Sequence, residues 1–184
     1  MRDLFDTRLL YTILVALVAA GRLVELRIAA RNRQRLFARG GVEVAPGHYR
    51  WMVLNHTAFL IACPLEVWLL GRPFIAPLAA MMVLLVILAT ALRYWVIRTL
   101  DGRWTTRIVV LPGTPPVVGG PYRWLHHPNY LAVCTEIAAL PLVHAAWLTA
   151  ILFSVLNALI LRVRIRAEEG ALKRLTPYDE TFAR

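Results

Sequence analysis

The sequence predicts an all-α integral membrane protein, and three observations carry that reading. The chain has 184 residues, 59% of them hydrophobic, with a mean hydropathy of +0.57, well above what a soluble core requires. Its apolar residues fall into runs near the roughly 20 residues that a helix needs to cross a bilayer. Its basic residues fall between those runs: Arg27, Arg31, Arg33, Arg35, Arg39 and Arg50; then Arg98, Arg103, Arg107 and Arg123; then Arg162, Arg164, Arg166, Lys173 and Arg174.

A formal net charge of +10 would suit nucleic acid on a soluble chain. Alternating with apolar runs, the same charge reads instead as the positive-inside signal, with added attraction to anionic headgroups. Nucleic acid is therefore not an expected partner, and membrane lipids are. The arginine-rich loops and the C-terminal helix are assigned to the cytoplasm, and the N-terminus to the outside of the inner or plasma membrane.

Taken in order, a first span runs from about Leu9 to Ala30 and continues as an arginine-rich helical extension. Arg22 and Glu25 within it sit at i,i+3 and are placed to pair. Three glycines and a proline make 40–50 a turn-rich interfacial loop. Trp51 to Leu70 is the second span, carrying His56, Cys63, Pro64 and Glu66. A Gly71-Arg72-Pro73 turn leads to the third, Phe74 to Ile97. From Arg98 to Pro128 glycines and prolines rule out a continuous helix, with Ile108 to Leu111 as a short extended piece. Tyr130 to Leu142 is too short to span alone. Ala145 to Leu161 continues into RVRIRAEEGALKRL, so the last two helices read as a hairpin entering and returning on one side. The whole is a single membrane domain, 1–184, of five transmembrane helices: three N-terminal helices to residue 98, then a loop, hairpin and C-terminal helix over 99–184.

Cys63 and Cys134 lie in apolar runs without pairing or CxxC spacing and read as reduced core thiols. No small-residue cleavage site follows the first apolar run, so a removable leader is not expected. Signatures of soluble nucleotide-binding folds, serine hydrolases and zinc peptidases are lacking. The His and Glu spacings match no metal template, so no metal is expected.

Three constellations carry candidate chemistry. In His126-His127-Pro128-Asn129-Tyr130, Pro128 forces His127 toward an extended conformation and presets a helix, with Asn129 as a candidate N-cap. The alternative is an ordinary helix start with interfacial histidines. In the run Arg162 to Glu169, helical spacing puts Arg162, Arg166 and Glu169 on one stripe and Arg164 with Glu168 on another. Either this is a solvated, salt-bridged helix end, or a Glu holds hydroxyls or an ammonium while an Arg holds an acidic oxygen. Which arginine faces a cavity is open. Glu136 lies in an apolar helix, where a carboxylate is costly unless paired. It is either a substrate-binding group, with Arg166, or the partner of an arginine on a neighbouring helix. His56 and His144 read as packing or hydrogen-bonding residues.

The order Gly-x-Tyr, then His-Pro-x-Tyr at the head of a short helical hairpin, then Arg followed by a Glu pair, resembles the isoprenylcysteine carboxyl methyltransferase family. The elements GGVEVAPGHYRWMV, LRYWVI, GRWTTRIVVLPG and HPNYLAVCTEIAALPL resemble a bacterial branch found beside type III polyketide synthases and implicated in O-methylating alkylpyrones and phenolic lipids. The resemblance implies a five-helix membrane enzyme using S-adenosylmethionine, bound at the cytoplasmic side by the C-terminal half. It implies that His127, Pro128, Tyr130, Glu168 and Glu169 form the cofactor's wall, and that Arg164 lies near the acceptor oxygen. Two positions depart from the pattern: His126 stands where the family has arginine, and Ala132 where it has glycine.

Methyl transfer from a sulfonium asks mainly for positioning and a water-poor cavity. A carboxylate acceptor arrives ionised, whereas a phenol near pKa ~10 needs a base or a cation. Arg164 suits either oxyanion, and His126 or His127 suits removal of a phenol's proton. The leading expectation is O-methylation of a lipophilic phenolic lipid or alkylpyrone entering from the bilayer. The alternatives are carboxyl methylation of an isoprenylcysteine and a non-enzymatic membrane scaffold. Oligomeric state is not readable from the sequence.

Overall fold

The computed structural model describes residues 6–178. Five helices make up the bundle: α1 (Thr7–Ala38), α2 (Tyr49–Leu69), α3 (Ala76–Leu100), α4 (Pro128–Leu142) and α5 (Trp147–Leu175). All but α4 are long and apolar enough to cross a membrane, and the chain is a multi-pass, mostly helical membrane protein. The outward faces carry large exposed side chains such as Leu17, Leu23, Ile61, Leu84, Ile87 and Ile151. Only a hydrocarbon solvent makes such a surface favourable.

Local sequence explains where each helix begins and ends. Asp6 caps α1 by accepting from the Arg8 amide at 3.0 Å. The arginine-rich extension belongs to the same helix and stops where Gly40 turns left-handed (φ 85°). The Gly41 amide then reaches back to the Leu36 carbonyl at 2.8 Å, which satisfies an orphan carbonyl of the last turn.

At the end of the bundle opposite the arginine-rich loops, Glu66 of α2 acts as an N-cap supplied from another helix. Its Oε1 accepts from the Leu148 amide at 3.2 Å and its Oε2 from the Thr149 amide at 2.6 Å. Arg72 Nε completes the group at 2.7 Å. Amide donors at the start of α5 would otherwise be orphaned. Glu66→Ala is expected to lower stability by about 2 kcal/mol, the order of a lost charged hydrogen bond, read as a lower thermal midpoint in detergent. Glu66→Gln, which can still accept one of these bonds, should lose about half as much.

The α4–α5 hairpin turns beside that cap. His144 in the turn is 1% exposed, pairs through Nε2 with Thr7 Oγ1 at 3.2 Å, and packs against Tyr11 and Phe74. Burial pushes its pKa down. Although α4 has 15 residues, about 22 Å of rise, its turn thus lies level with the first turn of α1.

The main core is shared by Tyr11, Phe59, Val67, Val86, Ile137, Leu140 and Phe153. Cys63 belongs to it, but Cys134 is exposed on the outer face, so only one thiol is a core residue. The expected extended piece is present as β2 (Val109–Val110). Its partner is β1 (Val42–Glu43), inside the loop read as irregular, in antiparallel register Val42 to Val110. Arg107 fastens the pair, reaching Glu43 at 2.6 Å and lying over the Tyr49 ring at 4.2 Å. The two segments GGVEVAPGHYR and GRWTTRIVVLPG are therefore one folded unit at the arginine-rich end.

Candidate active site

At that end, two adjoining lobes of a cavity, about 110 and 160 Å³, open between the β1–β2 unit, the loop before α4 and the C-terminal half of α5. Tyr122, His126, His127 and Glu168 line both lobes. Tyr130, Asn129 and Arg164 line the smaller one.

The loop reaches this position through Gly120. It is left-handed (φ 55°) and lies so close to α3 that a Cβ would stand 2.3 Å from Thr99 Oγ1, so only glycine fits. Tyr122 follows, and its hydroxyl pKa is raised by burial and by the nearby Glu168 carboxylate.

Pro128 starts α4, so the helix begins two residues earlier than an Asn129 cap implies. His127 is the N-cap residue, without a side-chain capping bond. Proline suits the first helical position because its missing N–H needs no partner there. Asn129, placed inside the helix, leaves its Oδ1 buried without a partner.

Glu168 and Glu169, neighbours on α5, each bind one residue of the first turn of α4. His127 Nε2 pairs with Glu169 Oε1 at 2.9 Å. A carboxylate only accepts, so Nε2 carries the hydrogen in this pair, which in the neutral form of the ring leaves Nδ1 as an acceptor. Tyr130 Oη donates to Glu168 Oε2 and accepts from Arg164 Nε at 2.9 Å. The His127 and Tyr130 rings stack at 5.2 Å.

Arg164 is 6% exposed. Its Nη1 has only the thioether of Met52 at 3.6 Å, a weak acceptor, and its Nη2 has no hydrogen-bonding partner among the described residues. A guanidinium with donors to spare in a cavity wall is suited to an anionic or polarised oxygen.

The fold thus gathers Arg164, His126, His127, Tyr130 and Glu168 at one cavity. Pro128 is buried behind it and Glu169 reaches it through His127. Arg166, two positions beyond the buried Arg164, is exposed. Glu136 lies six residues deeper along α4, about 9 Å, and does not line the cavity. Its Oε2 is held by Arg93 Nη2 at 3.1 Å and Arg22 Nη2 at 3.2 Å. Arg22 also binds Glu25 at 2.5 Å, and Arg93 lies 3.9 Å from Glu25. The alternative of an arginine partner is the arrangement found, extended to four charges on three helices. Arg93 carried the signal that would have revealed it, an ionisable residue within an apolar run.

Trp104, Arg103 and Arg107 also line the cavity and were not singled out from the sequence. No pattern in the intervening loop marks them, since only the β1–β2 pairing folds that loop over the site. Among the described residues no group of His, Cys, Asp or Glu is placed to hold a metal ion.

Comparison with known proteins identifies the family. The sequence profile of the isoprenylcysteine carboxyl methyltransferase (ICMT) family matches residues 81–174, which span Arg93, the histidine motif and the Glu pair. The uncharacterized protein YpbQ of Bacillus subtilis is 36% identical over 89% of this chain and 97% of its own length. An uncharacterized protein of Haemophilus influenzae is 30% identical over 92% and 98% respectively. No solved structure matches significantly.

Proposed function

Because the chain belongs to the ICMT family of membrane methyltransferases, we propose that it is an S-adenosylmethionine-dependent O-methyltransferase of a lipophilic acceptor, a phenolic lipid or alkylpyrone, working at the cytoplasmic side. The observation that carries the reading is Arg164: a buried guanidinium with uncommitted donors, in a cavity formed where the His-Pro-x-Tyr turn meets the Glu pair.

The donor set fits the cofactor, which is an amino acid, a sulfonium and a nucleoside in one molecule. Arg103 and Arg107 suit its carboxylate. The orphaned Asn129 Oδ1 and the His127 Nδ1 lone pair suit its ammonium and hydroxyl donors. When bound, S-adenosylmethionine supplies an electrophilic methyl group. Glu169 fixes the His127 ring in one orientation and tautomer, as an outer carboxylate does for a functional histidine. Leu100, Tyr122 and Leu172 provide an apolar lining that keeps water from the reacting oxygen. Arg164 orients that oxygen and stabilises its charge, with stronger effect for being buried. The lipid-facing helices let an acceptor's alkyl tail remain in the bilayer while its head reaches the cavity.

The test is purified protein in nanodiscs with radiolabelled S-adenosylmethionine and three probes: an alkylresorcinol, an alkyl-hydroxypyrone and a farnesylcysteine analogue. Label is expected in one or both of the first two. Label only in farnesylcysteine would replace this acceptor class with an isoprenylcysteine carboxylate. No transfer to any probe, with no binding of S-adenosylhomocysteine by calorimetry, would favour a scaffold.

A further inference from the structure

We propose that Tyr130 and Glu168 form a proton relay for the methyl acceptor, and do not belong to the cofactor's wall; the inference rests on the methyltransferase reading above. It begins with what each hydrogen-bonding site of the Tyr130 hydroxyl is doing. Its one hydrogen is given to Glu168 Oε2, and one of its two acceptor sites is taken by Arg164 Nε at 2.9 Å. One acceptor site is left. On a guanidinium, Nη2 shares an edge with Nε, the edge that binds carboxylates bidentately. With Tyr130 on Nε, Nη2 is the uncommitted end of that edge. An acceptor hydroxyl held by Nη2 therefore lies beside Tyr130 Oη, with its proton next to the open acceptor site.

The proton path balances. As the acceptor oxygen forms its bond to the methyl carbon, the carbon–sulfur bond breaks and its electron pair stays on sulfur. The acceptor's proton passes to Tyr130 Oη while the Tyr130 proton passes to Glu168, and Glu168 releases it to water through the cavity it lines. Tyr130 is the catalytic residue, touching the acceptor, and Glu168 acts through it as the proton's destination.

Other charged and titratable groups face this pair from each packed element. From α5 there is Arg164; from the loop before α4, Tyr122, His126 and His127; from the β1–β2 unit, Arg103 and Arg107. The contacts from α2 and α3 are uncharged: Met52 on Arg164, and Leu100 in the wall. His127 is engaged by Glu169. His126 stands on the exposed rim, whereas Arg164 is buried. Among the described titratable groups, Tyr130 is the one hydrogen-bonded to the guanidinium that holds the acceptor.

The experiment compares the alkylresorcinol, whose phenol keeps its proton at neutral pH, with the alkyl-hydroxypyrone, a vinylogous acid that arrives ionised. Tyr130→Phe is expected to slow transfer to the alkylresorcinol about 100-fold at pH 7, the order of a lost acid–base step. That rate should climb roughly tenfold per pH unit toward the phenol's own pKa of about 10. Transfer to the hydroxypyrone should fall less than tenfold and show no such climb. Glu168→Gln should reproduce the selective loss and serves if Tyr130→Phe does not fold. Both variants should keep S-adenosylhomocysteine binding. Equal losses with both probes, loss of that binding, or the selective loss appearing in His126→Gln instead would each overturn the relay. Failure of the unaltered protein on every probe would overturn the methyltransferase reading itself.

Discussion

Arg164→Gln is expected to reduce methyl transfer by two to three orders of magnitude, with S-adenosylhomocysteine binding within a few-fold of the unaltered protein. The side chain is buried and has donors to spare where an acceptor oxygen belongs. Removing one preorganised donor to a developing or existing oxyanion costs about 3–4 kcal/mol in comparable sites, and a low-dielectric position strengthens the effect. Glutamine can still donate to Tyr130, so the variant is expected to fold. Arg164→Lys should be nearly as poor, because an ammonium keeps the charge but loses the planar edge that holds Tyr130 and the acceptor side by side. Titration calorimetry with S-adenosylhomocysteine beside radiolabel transfer separates the two effects. If cofactor binding were lost with transfer, Arg164 would belong to the cofactor.

The second large effect is expected deep in the bundle. Glu136→Leu leaves Arg93 with only the more distant Glu25 at 3.9 Å, an uncompensated charge at 6% exposure. Breaking a buried pair in this way costs about 3–5 kcal/mol, a fall in thermal midpoint on the order of 10 °C for a chain of this length. The double variant Glu136→Leu with Arg93→Met removes a neutral pair and should recover most of the loss, because Arg22 and Glu25 still satisfy each other at 2.5 Å. Its transfer activity should stay within about tenfold, since Glu136 does not line the cavity. A double variant that is stable but inactive would return Glu136 to the substrate-binding role that its position in an apolar helix suggested.

Sequence reasoning read the helices well because hydropathy and charge blocks are local properties. Each of the four long helices appears within a few residues of its expected bounds, and the arginine-rich extension of α1 stops at the glycine that can turn left-handed. Reading was weakest where a residue's role depended on a distant partner. Glu66 reads from the sequence only as a polar residue carried by the second span, yet its acceptors meet amides 82 and 83 positions away. Asn129 reads as a cap only until Pro128 takes the first helical position.

The candidate site divides along the same line. The sequence by itself determined the membrane class and, through the His-Pro-x-Tyr turn and the Arg and Glu-pair run, the family that the two motifs imply, because each motif is written in contiguous residues. Only the tertiary structure decided that Arg164, and not Arg162 or Arg166, is the buried guanidinium, since each residue of α-helix turns a side chain by about 100° and the choice depends on which face packs on α4. It alone decided that the two carboxylates divide between His127 and Tyr130, and that Glu136 answers to Arg93 and Arg22. Side-chain partnerships between helices are set by packing geometry, and no local pattern encodes them.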